Sequence, residues 1–438
     1  MLKTLRDAFR IEDIRKRLIF TLWMLIVIRV GSQIPTPGVN SSLIQSFFEQ
    51  NSSELFNFFD AFTGGSFAKM SVLALSITPY ITASIIIQLL TIAIPKLEEM
   101  QKEGAEGRKK LIAITRYVNI ILSLIESIAM AIAFGRQGYL TNYDFVTCAI
   151  IVVTLTAGSA FLMWVGEQIT ESGVGNGISI VLMINILSRM PSDFVTLYEK
   201  FIQPKFESKT YASAGLAILV IAAVIIVTVV FVVLLQDAER RITVQYSKKL
   251  QGRRMVGGQS TYIPLKVNTG GVIPIIFAQS IMEFPVLIAT FMGKGTDSYV
   301  MKMLSSNNWI NPKHMEYSVG LVIYMVLVVF FAYFYTSITF NPMEIADNMK
   351  KSGGFIPGIR PGKPTVDYLN KILNYVIFMG AVGLIIVQLI PYFFNGVFGA
   401  SVSFGGTSII IIVGVVLETI KQIESQMLVR NYRGFLND

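Results

Sequence analysis

The chain has 438 residues, of which 53% are hydrophobic and 15% charged, against the roughly 25% charged residues usual in a soluble protein. The charges are confined to a few loops between long apolar runs, so the composition favours a polytopic membrane protein over a soluble one. One cysteine, Cys148, and one histidine, His314, leave no residues for an intrachain disulfide or a His/Cys metal cluster, and no G-x-x-x-x-G-K-[ST] phosphate loop occurs. We therefore expect no enzyme activity and no cofactor, and we expect a partner or a gradient to supply the energy for any work.

The N-terminal segment, residues 1–30, places a basic region before an apolar run, as a signal peptide does. No small-x-small cleavage site follows, because the next residues are "GSQIPTPG". The pattern predicts an amphipathic cytoplasmic segment that leads into a retained first span.

Ten apolar runs are candidate membrane-spanning helices, each of which needs about 20 mostly apolar residues. Nine of them lie at 18–34, 72–94, 111–134, 144–165, 214–236, 268–292, 317–339, 371–394 and 407–428. The tenth, 176–190, is shorter and opens on the Gly-rich stretch "ESGVGNG", which cannot continue the preceding helix. The sequence thus predicts an all-α membrane protein with spans one to ten in chain order, in which 176–190 is span five.

Positive charge orients these spans. Ten spans put both termini on one side of the membrane, and the segments on that side hold 27 of the 37 lysine and arginine residues. By the positive-inside rule, both termini are then cytoplasmic. Because five is odd, two five-span halves, residues 1–195 and 196–438, enter the membrane in opposite senses, as inverted repeats do.

Proline and glycine stand at matching positions of the two halves. Span two contains Pro79, and span seven begins with Gly270, Gly271 and Pro274. Such interruptions point to the functional interface of an inverted repeat, so we expect spans two and seven to form the working surface. The alternative is that membrane helices simply tolerate these residues.

The stretch "FNFFDAFTGGSFAKM", residues 56–70, comes directly before span two. It is rich in phenylalanine but too short to cross a bilayer, and Gly64 and Gly65 disfavour a stable helix. We expect a loose apolar segment on the extracytoplasmic side. A re-entrant loop that only fills space is the alternative.

Charged and apolar side chains inside the spans are ambiguous. Intramembrane charge marks function by default, but packing and polar contacts between helices are the favoured explanation for each candidate; the candidates are Arg29, Glu126, Glu283 and Glu418. Isoleucine and leucine recur at i, i+4 spacing on spans two and five, at Ile77, Ile81, Ile85, Ile178 and Leu182. Core or lipid packing gives the same spacing, so periodicity alone does not predict a pore.

Two basic loops are predicted to be ordered. In the loop 237–267, "RRITVQYS" and "STYIPLK" favour an antiparallel hairpin, and the loop 340–370 favours a short helix followed by a Gly/Pro-rich tip around Arg360. Ordered basic loops suit a large anionic or acidic partner, such as ribosomal RNA, an acidic protein surface or anionic lipid. The positive-inside rule alone is the alternative explanation for the charge.

Six stretches in order along the chain resemble the SecY family, the channel subunits of the bacterial protein translocase and their archaeal and eukaryotic relatives. They are "PYITASIIIQLL" (79–90), "KEGAEGRKK" (102–110), "MWVGEQITESGVGNGISI" (163–180), "QGRRMVGGQSTYIPLKVN" (251–268), "FNPMEIADNMKKSGGFIPGIRPG" (340–362) and "GGTSIII" (405–411). The resemblance covers essentially the whole chain. It implies a protein-conducting channel in which two pseudo-symmetric inverted halves surround a central pore.

The resemblance also implies roles for particular residues. An apolar pore ring would consist of Ile77, Ile81, Ile178, Leu182, Ile276 and Ile411, with leucine at 182 where isoleucine is common. A removable plug, at about 55–70, would include Phe56, Phe58, Phe59, Phe62, Gly64, Gly65 and Phe67. A lateral gate between spans two/three and seven/eight would include Thr82, Gln88, Glu126 and Phe284. Partner docking would fall to Arg240, Arg241, Arg253, Arg254 and Arg360.

The partners implied by the resemblance are the SecE and SecG subunits, the SecA ATPase, the ribosome, preprotein signal sequences and membrane lipid. The implied location is the inner (plasma) membrane of the cell. From the residues alone, an inverted-repeat secondary transporter is the main alternative. Such a transporter needs paired carboxylates at mid-membrane, and the sequence does not assemble them.

Overall fold

The structure is a computed structural model that describes residues 2–50, 60, 62–204, 211–246, 249–251, 254–256, 260–291, 298–305, 309–310, 314–398 and 406–434. The first half of the chain forms helices. They are α1 (Leu2–Arg10), α2 (Glu12–Gly31), α3 (Ser41–Gln50), α4 (Thr78–Ala93), α5 (Pro95–Lys102), α6 (Ala105–Arg136), α7 (Phe145–Ser172) and α8 (Gly177–Leu197), which continues into a π-helical turn, Tyr198–Ile202. The predicted boundary between the halves falls inside this last segment, and the division into halves stays a prediction.

The second half adds a small amount of β-structure. Its helices are α9 (Tyr211–Asp237), α10 (Ile273–Phe291), α11 (Tyr299–Leu304), α12 (Val319–Thr339), α13 (Pro342–Lys351), α14 (Lys363–Phe398) and α15 (Gly406–Gly434), with a 3₁₀ turn, Met315–Ser318, before α12. Its strands are β1 (Glu239–Tyr246), β2 (Lys249–Gln251), β3 (Arg254–Val256), β4 (Ser260–Lys266) and β5 (Gly354–Phe355).

A helix stands at each of the ten predicted spans. Within the described ranges, seven helices are long and apolar enough to cross a membrane, and they include α8, the weak span five. The bent pair α4 and α5, which breaks at Ile94, is an eighth candidate. The fold is therefore a helical, multi-pass membrane fold, as the hydropathy pattern predicts.

Spans two and seven begin later than the hydropathy suggests. The apolar run of span two starts at residue 72, but α4 starts at Thr78, because residues 72–77 form turns and Ser76 has a φ of +54°. Span seven behaves alike: α10 starts at Ile273, two residues after Gly271, whose φ is +59°. Pro79 and Pro274 are thus each the second residue of a helix, where the missing N–H costs no hydrogen bond. They begin these helices rather than interrupt them.

Two glycines let helix backbones touch in the first half. A Cβ atom on Gly158 of α7 would lie 2.0 Å from the Val72 carbonyl oxygen, and one on Gly177 would lie 1.9 Å from the Gly166 carbonyl oxygen. Small residues at such contacts allow close packing of membrane helices. The contacts fix the turns that precede α4, and the first turn of α8, against α7.

The described residues of 239–266 and 340–372 fold together, and we call them the loop module. Strands β4, β1 and β5 form one antiparallel sheet in that order, in which Thr243 pairs with Tyr262 and Gln245 with Phe355. The predicted hairpin and short helix are confirmed, while the third strand, which joins the two loops, was not predicted. The module has its own apolar core, formed by Ile242, Val244, Leu265, Ala346, Met349, Ile356 and Leu369.

Candidate functional site

The six ring residues come together in one apolar cluster. Ile77, Leu182 and Ile411 are buried in it, and Ile81, Ile178 and Ile276 are packed against it with partial exposure. They come from the N-terminal ends of four helices. Ile77 is the residue before α4, Ile81 and Ile276 lie in the first turns of α4 and α10, and Ile178, Leu182 and Ile411 lie in the first two turns of α8 and α15. The two halves of the chain therefore meet in this cluster.

Gly166 of α7 gives a direct measure of how close two ring residues lie. A Cβ atom on Gly166 would lie 3.2 Å from Ile178 Cγ1 and 3.4 Å from Ile77 Cδ1. The side chains of spans two and five thus meet over the same small residue. Periodicity on each helix was ambiguous between a pore ring and ordinary packing. The contact shows that these two side chains pack together, and their place in a pore ring stays a prediction.

The phenylalanines of the 56–70 stretch divide between two clusters. Phe62 is 5% exposed and belongs to the cluster that contains the ring. Phe67 belongs to a neighbouring cluster with Ile44 and Phe134, so of the phenylalanines that the structure describes here, Phe62 alone shares the ring cluster. Phe56, Phe58 and Phe59 lie outside the described residues.

Two glycines end the helical turn at Thr63. Gly64 and Gly65 have φ values of +67° and +83°, which favour glycine. Backbone hydrogen bonds then tie the segment to the loop that follows α2: Thr36 donates to the Met70 carbonyl and Val72 to the Ile34 carbonyl, both at 2.9 Å. The described part of the segment is therefore not loose, contrary to the expectation from the sequence.

Polar side chains of α8 and α2 hold the backbone of this segment. Asn185 Nδ2 donates to the Phe62 carbonyl at 3.2 Å, and Ser188 Oγ and the Arg29 guanidinium donate to the Gly64 carbonyl at 3.4 Å. The sequence flagged Arg29 but missed Asn185 and Ser188. The signal available was the polarity of span five, the weakest of the apolar runs.

The structure describes the side chains of three of the four predicted lateral-gate residues. Thr82 and Gln88 are exposed and Glu126 is half-buried, while the side chain of Phe284 lies outside the described residues. Thr82 Oγ1 donates to the Thr78 carbonyl within its own helix at 3.1 Å. Helix α4 packs on α6, and α10 packs on α12, which matches the span pairs that the resemblance places on the two sides of the gate.

Three of the five docking arginines have described side chains, and all three are exposed: Arg240 and Arg241 on β1 and Arg360 on the tip. Arg241 Nε lies 2.6 Å from Glu239 Oε1, and its guanidinium carbon lies 4.9 Å from the centre of the Tyr262 ring. The hydrogen bond and the charge of Glu239 raise the pKa of Arg241. Arg253 and the side chain of Arg254 lie outside the described residues.

Nothing in the described ranges offers a metal centre, since they contain no group of three or more His, Cys, Asp or Glu side chains that could hold an ion. Of the remaining charged positions in spans, Glu418 is exposed, and the side chain of Glu283 is not described.

Comparisons with known proteins identify the family and the fold. A SecY family model matches residues 71–420. The chain is 43% identical to protein translocase subunit SecY of Streptomyces scabiei over 453 residues and 44% identical to that of Bacillus subtilis over 444 residues, covering 100% of each chain in both cases. Two solved structures share its fold, a protein-conducting channel (TM-score 0.63) and Sec61 of the canine ribosome–channel complex (TM-score 0.60); each is 17% identical, with 94% of this chain and 93% of the other covered. The chain therefore belongs to the SecY family.

Proposed function

We propose that the chain forms a protein-conducting channel, which carries signal-bearing preproteins across the membrane and releases transmembrane segments sideways into it. The observation that carries this proposal is the cluster in which ring residues from both halves pack with Phe62. Membership of the SecY family supports it, since the full-length relatives are translocase subunits.

The ring seals the pore without recognising the amino-acid sequence of the polypeptide that passes through it. A narrow apolar constriction dewets and so blocks ions. Its aliphatic side chains offer no fixed polar geometry that would distinguish one passing residue from another. Phe62, which packs in the same cluster, adds apolar volume to the seal as part of the plug.

A signal sequence supplies free energy for opening the lateral gate, between α4/α6 on one side and α10/α12 on the other. Burial of its apolar run in that gap is worth about 0.8 kcal/mol per CH₂ group. A signal of about ten large apolar residues therefore exceeds the few kcal/mol that bias a two-state gate towards the closed form.

The loop module binds the partner that drives translocation, the ribosome or the SecA ATPase. Its exposed arginines, Arg240, Arg241 and Arg360, stand on a sheet and a tip with their own apolar core, so they present charge from a fixed frame. Such a surface suits the ribosome, whose partnership with a channel of this fold is known from the canine complex, and the SecA ATPase. SecE and SecG complete the assembly in the inner membrane of the cell, with both termini in the cytoplasm.

Reconstitution tests the proposal. Proteoliposomes that contain the chain with SecE should, on addition of SecA and ATP, take up a signal-bearing preprotein into a protease-protected form. Empty liposomes and a preprotein without its signal are the controls. Uptake no greater than in empty liposomes contradicts the proposal, and gradient-driven uptake of small solutes without any ATPase favours a secondary transporter instead.

A further inference from the structure

A buried ion pair joins the plug segment to span five. Arg189 Nη1 contacts Asp60 Oδ2, and the two side chains are 24% and 4% exposed. Asp60 stands at the start of the described part of the plug, and Arg189 lies on α8, the helix that also carries Ile178 and Leu182 of the ring. Neither charge was assigned a role by the family resemblance.

Asp60 also folds the segment around itself. Its Oδ1 accepts a hydrogen bond from the Ala68 N–H at 2.8 Å, and its backbone carbonyl accepts one from the Gly65 N–H at 2.9 Å. One carboxylate therefore closes the turn of the segment with one oxygen and fastens it to α8 with the other. Loss of Asp60 loosens both the segment and its attachment.

The neighbouring donors hold the backbone of the same segment. Asn185 and Ser188 lie on α8 within one turn of Arg189, and Arg29 lies on α2. A Cβ atom on Gly64 would lie 2.6 Å from Arg29 Nη1 and 2.8 Å from Ser188 Oγ, so these donors close directly over the glycine. All of these contacts come from the first half of the chain.

We propose that Asp60 and Arg189 form a latch that fastens the plug segment to the first half of the channel, and that breaking this pair limits the release of the plug. The inference rests on the proposed function. Loss of Arg189 leaves the Asp60 carboxylate, which is 4% exposed, without its cationic partner in a medium of low dielectric constant, so the latch is strong while the pore is dry. Arg189 itself also interacts electrostatically with Asp193, four residues further along α8. Water that enters an opening pore solvates both charges and weakens the latch.

The latch makes plug release a step separate from movement of the halves. Ile276 and Ile411 leave the ring if the second half moves away, but Asp60, Phe62 and Gly64 are fastened to α2 and α8. A signal that parts the halves therefore does not by itself pull out the plug.

Cysteine labelling tests the latch without any translocation partner. The background is Cys148→Ala with a reporter cysteine at Ala68, in the full chain in proteoliposomes with SecE, probed with a membrane-impermeant maleimide. Asp60→Asn and Arg189→Gln should each raise the labelling rate about 100-fold, the scale expected when one partner of a buried pair is lost. The double variant should lie near either single variant, because the lost interaction is shared.

Two further variants keep the test decisive. Lys69→Gln is the matched control, since Lys69 lies in the same segment but bonds the exposed side chain of Gln33 at 3.0 Å, and its labelling should stay within about twofold of the background. Arg189→Lys keeps the charge and should give an intermediate rate, which decides the matter if Asp60→Asn does not assemble. The latch is overturned if the labelling rates of Arg189→Gln and Arg189→Lys both stay at background. It is also overturned if the rise in the double variant equals the product of the rises in the two single variants.

The labelling result and the translocation result are separable. If the single variants raise the labelling rate and the double variant raises it no further, but no preprotein is taken up, the latch is retained and the proposed function is rejected. If ATP-driven uptake is normal, but the labelling rates stay at background or the effects of the two substitutions multiply, the latch is rejected and the channel is retained.

Discussion

Replacing Ile411 by asparagine should break the seal of the pore. Ile411 is 5% exposed and packs in the cluster with Ile77 and Leu182. Loss of a buried aliphatic side chain costs about 2–5 kcal/mol, and a buried amide without partners adds about 1–3 kcal/mol. Some of this cost persists in the open channel, so we take about 3 kcal/mol as the destabilisation of the closed form alone, which corresponds to a roughly 150-fold rise in the open fraction.

Ion efflux from proteoliposomes measures that change. Potassium leak with no preprotein present should rise steeply in Ile411→Asn, and preproteins with weakened signals should be admitted more readily. Ile411→Val, which removes one methyl group, should raise the leak by less than about tenfold. Val416→Asn is the control for a polar residue on the same helix, because Val416 is 38% exposed and lies outside the ring cluster. A leak in Ile411→Asn equal to that of Val416→Asn would refute the assignment of the ring.

Three further predictions concern the plug and the loop module. Gly64→Ala should raise the resting ion leak more than Gly65→Ala, because both positions have positive φ but only Gly64 has atoms within 4 Å of the added Cβ. Equal leaks would show that backbone strain alone matters. Ile242→Ala should lower the melting temperature of the loop module and weaken SecA binding with every arginine retained, whereas Thr243→Ala, at an exposed position of the same strand, should not; unchanged binding in a pull-down would mean that the module core does not position the arginines. Arg240→Glu with Arg241→Glu should reduce SecA affinity about tenfold or more at low salt and less at high salt, with Arg6→Glu and Arg10→Glu together, at two exposed positions of α1, as the charge-matched control. A loss that does not depend on salt would contradict electrostatic docking.

Hydropathy was sufficient to predict the helices at the ten apolar runs, whereas shorter helices such as α3 and α11 were not predicted. Crossing a bilayer demands a run of apolar residues whatever its neighbours are, so each run predicted a helix from local sequence alone. The hairpin of the loop module was equally local, since the alternation in "RRITVQYS" requires no distant partner. The pairing of β5 with β1 was not local, and no pattern in "GGF" indicates a strand.

The start of span two shows the limit of hydropathy. Residues 72–77 are as apolar as the helix they precede, but Ser76 adopts a left-handed conformation and the backbone there is folded against Gly158. An apolar run reports burial, and it does not report which backbone conformation the buried residues adopt. The ring residue Ile77 therefore stands just before the first residue of α4, whereas the sequence predicted that it would lie within the helix of span two.

The candidate site, like the fold, could be predicted from the sequence only in part. The ring residues were assigned by family resemblance, and their i, i+4 spacing alone favoured ordinary core or lipid packing. The contacts of Asp60 with Arg189, and of Asn185 with the Phe62 carbonyl, join segments far apart in the chain. Only the tertiary fold brings such pairs together, so the sequence could mark these residues as polar but could not assign them partners.

The central claim, that a polypeptide passes between the ring residues, is most directly tested by site-specific crosslinking. A photoreactive side chain placed at Ile81, Ile178 or Ile276 should crosslink to a preprotein arrested during ATP-driven translocation. The same side chain at Val227, which is 67% exposed on the outer face of α9, should crosslink to lipid and not to the preprotein. Preprotein adducts at the ring positions and none at Val227 are the predicted result, and adducts that are absent from the ring or equal at Val227 would contradict the account.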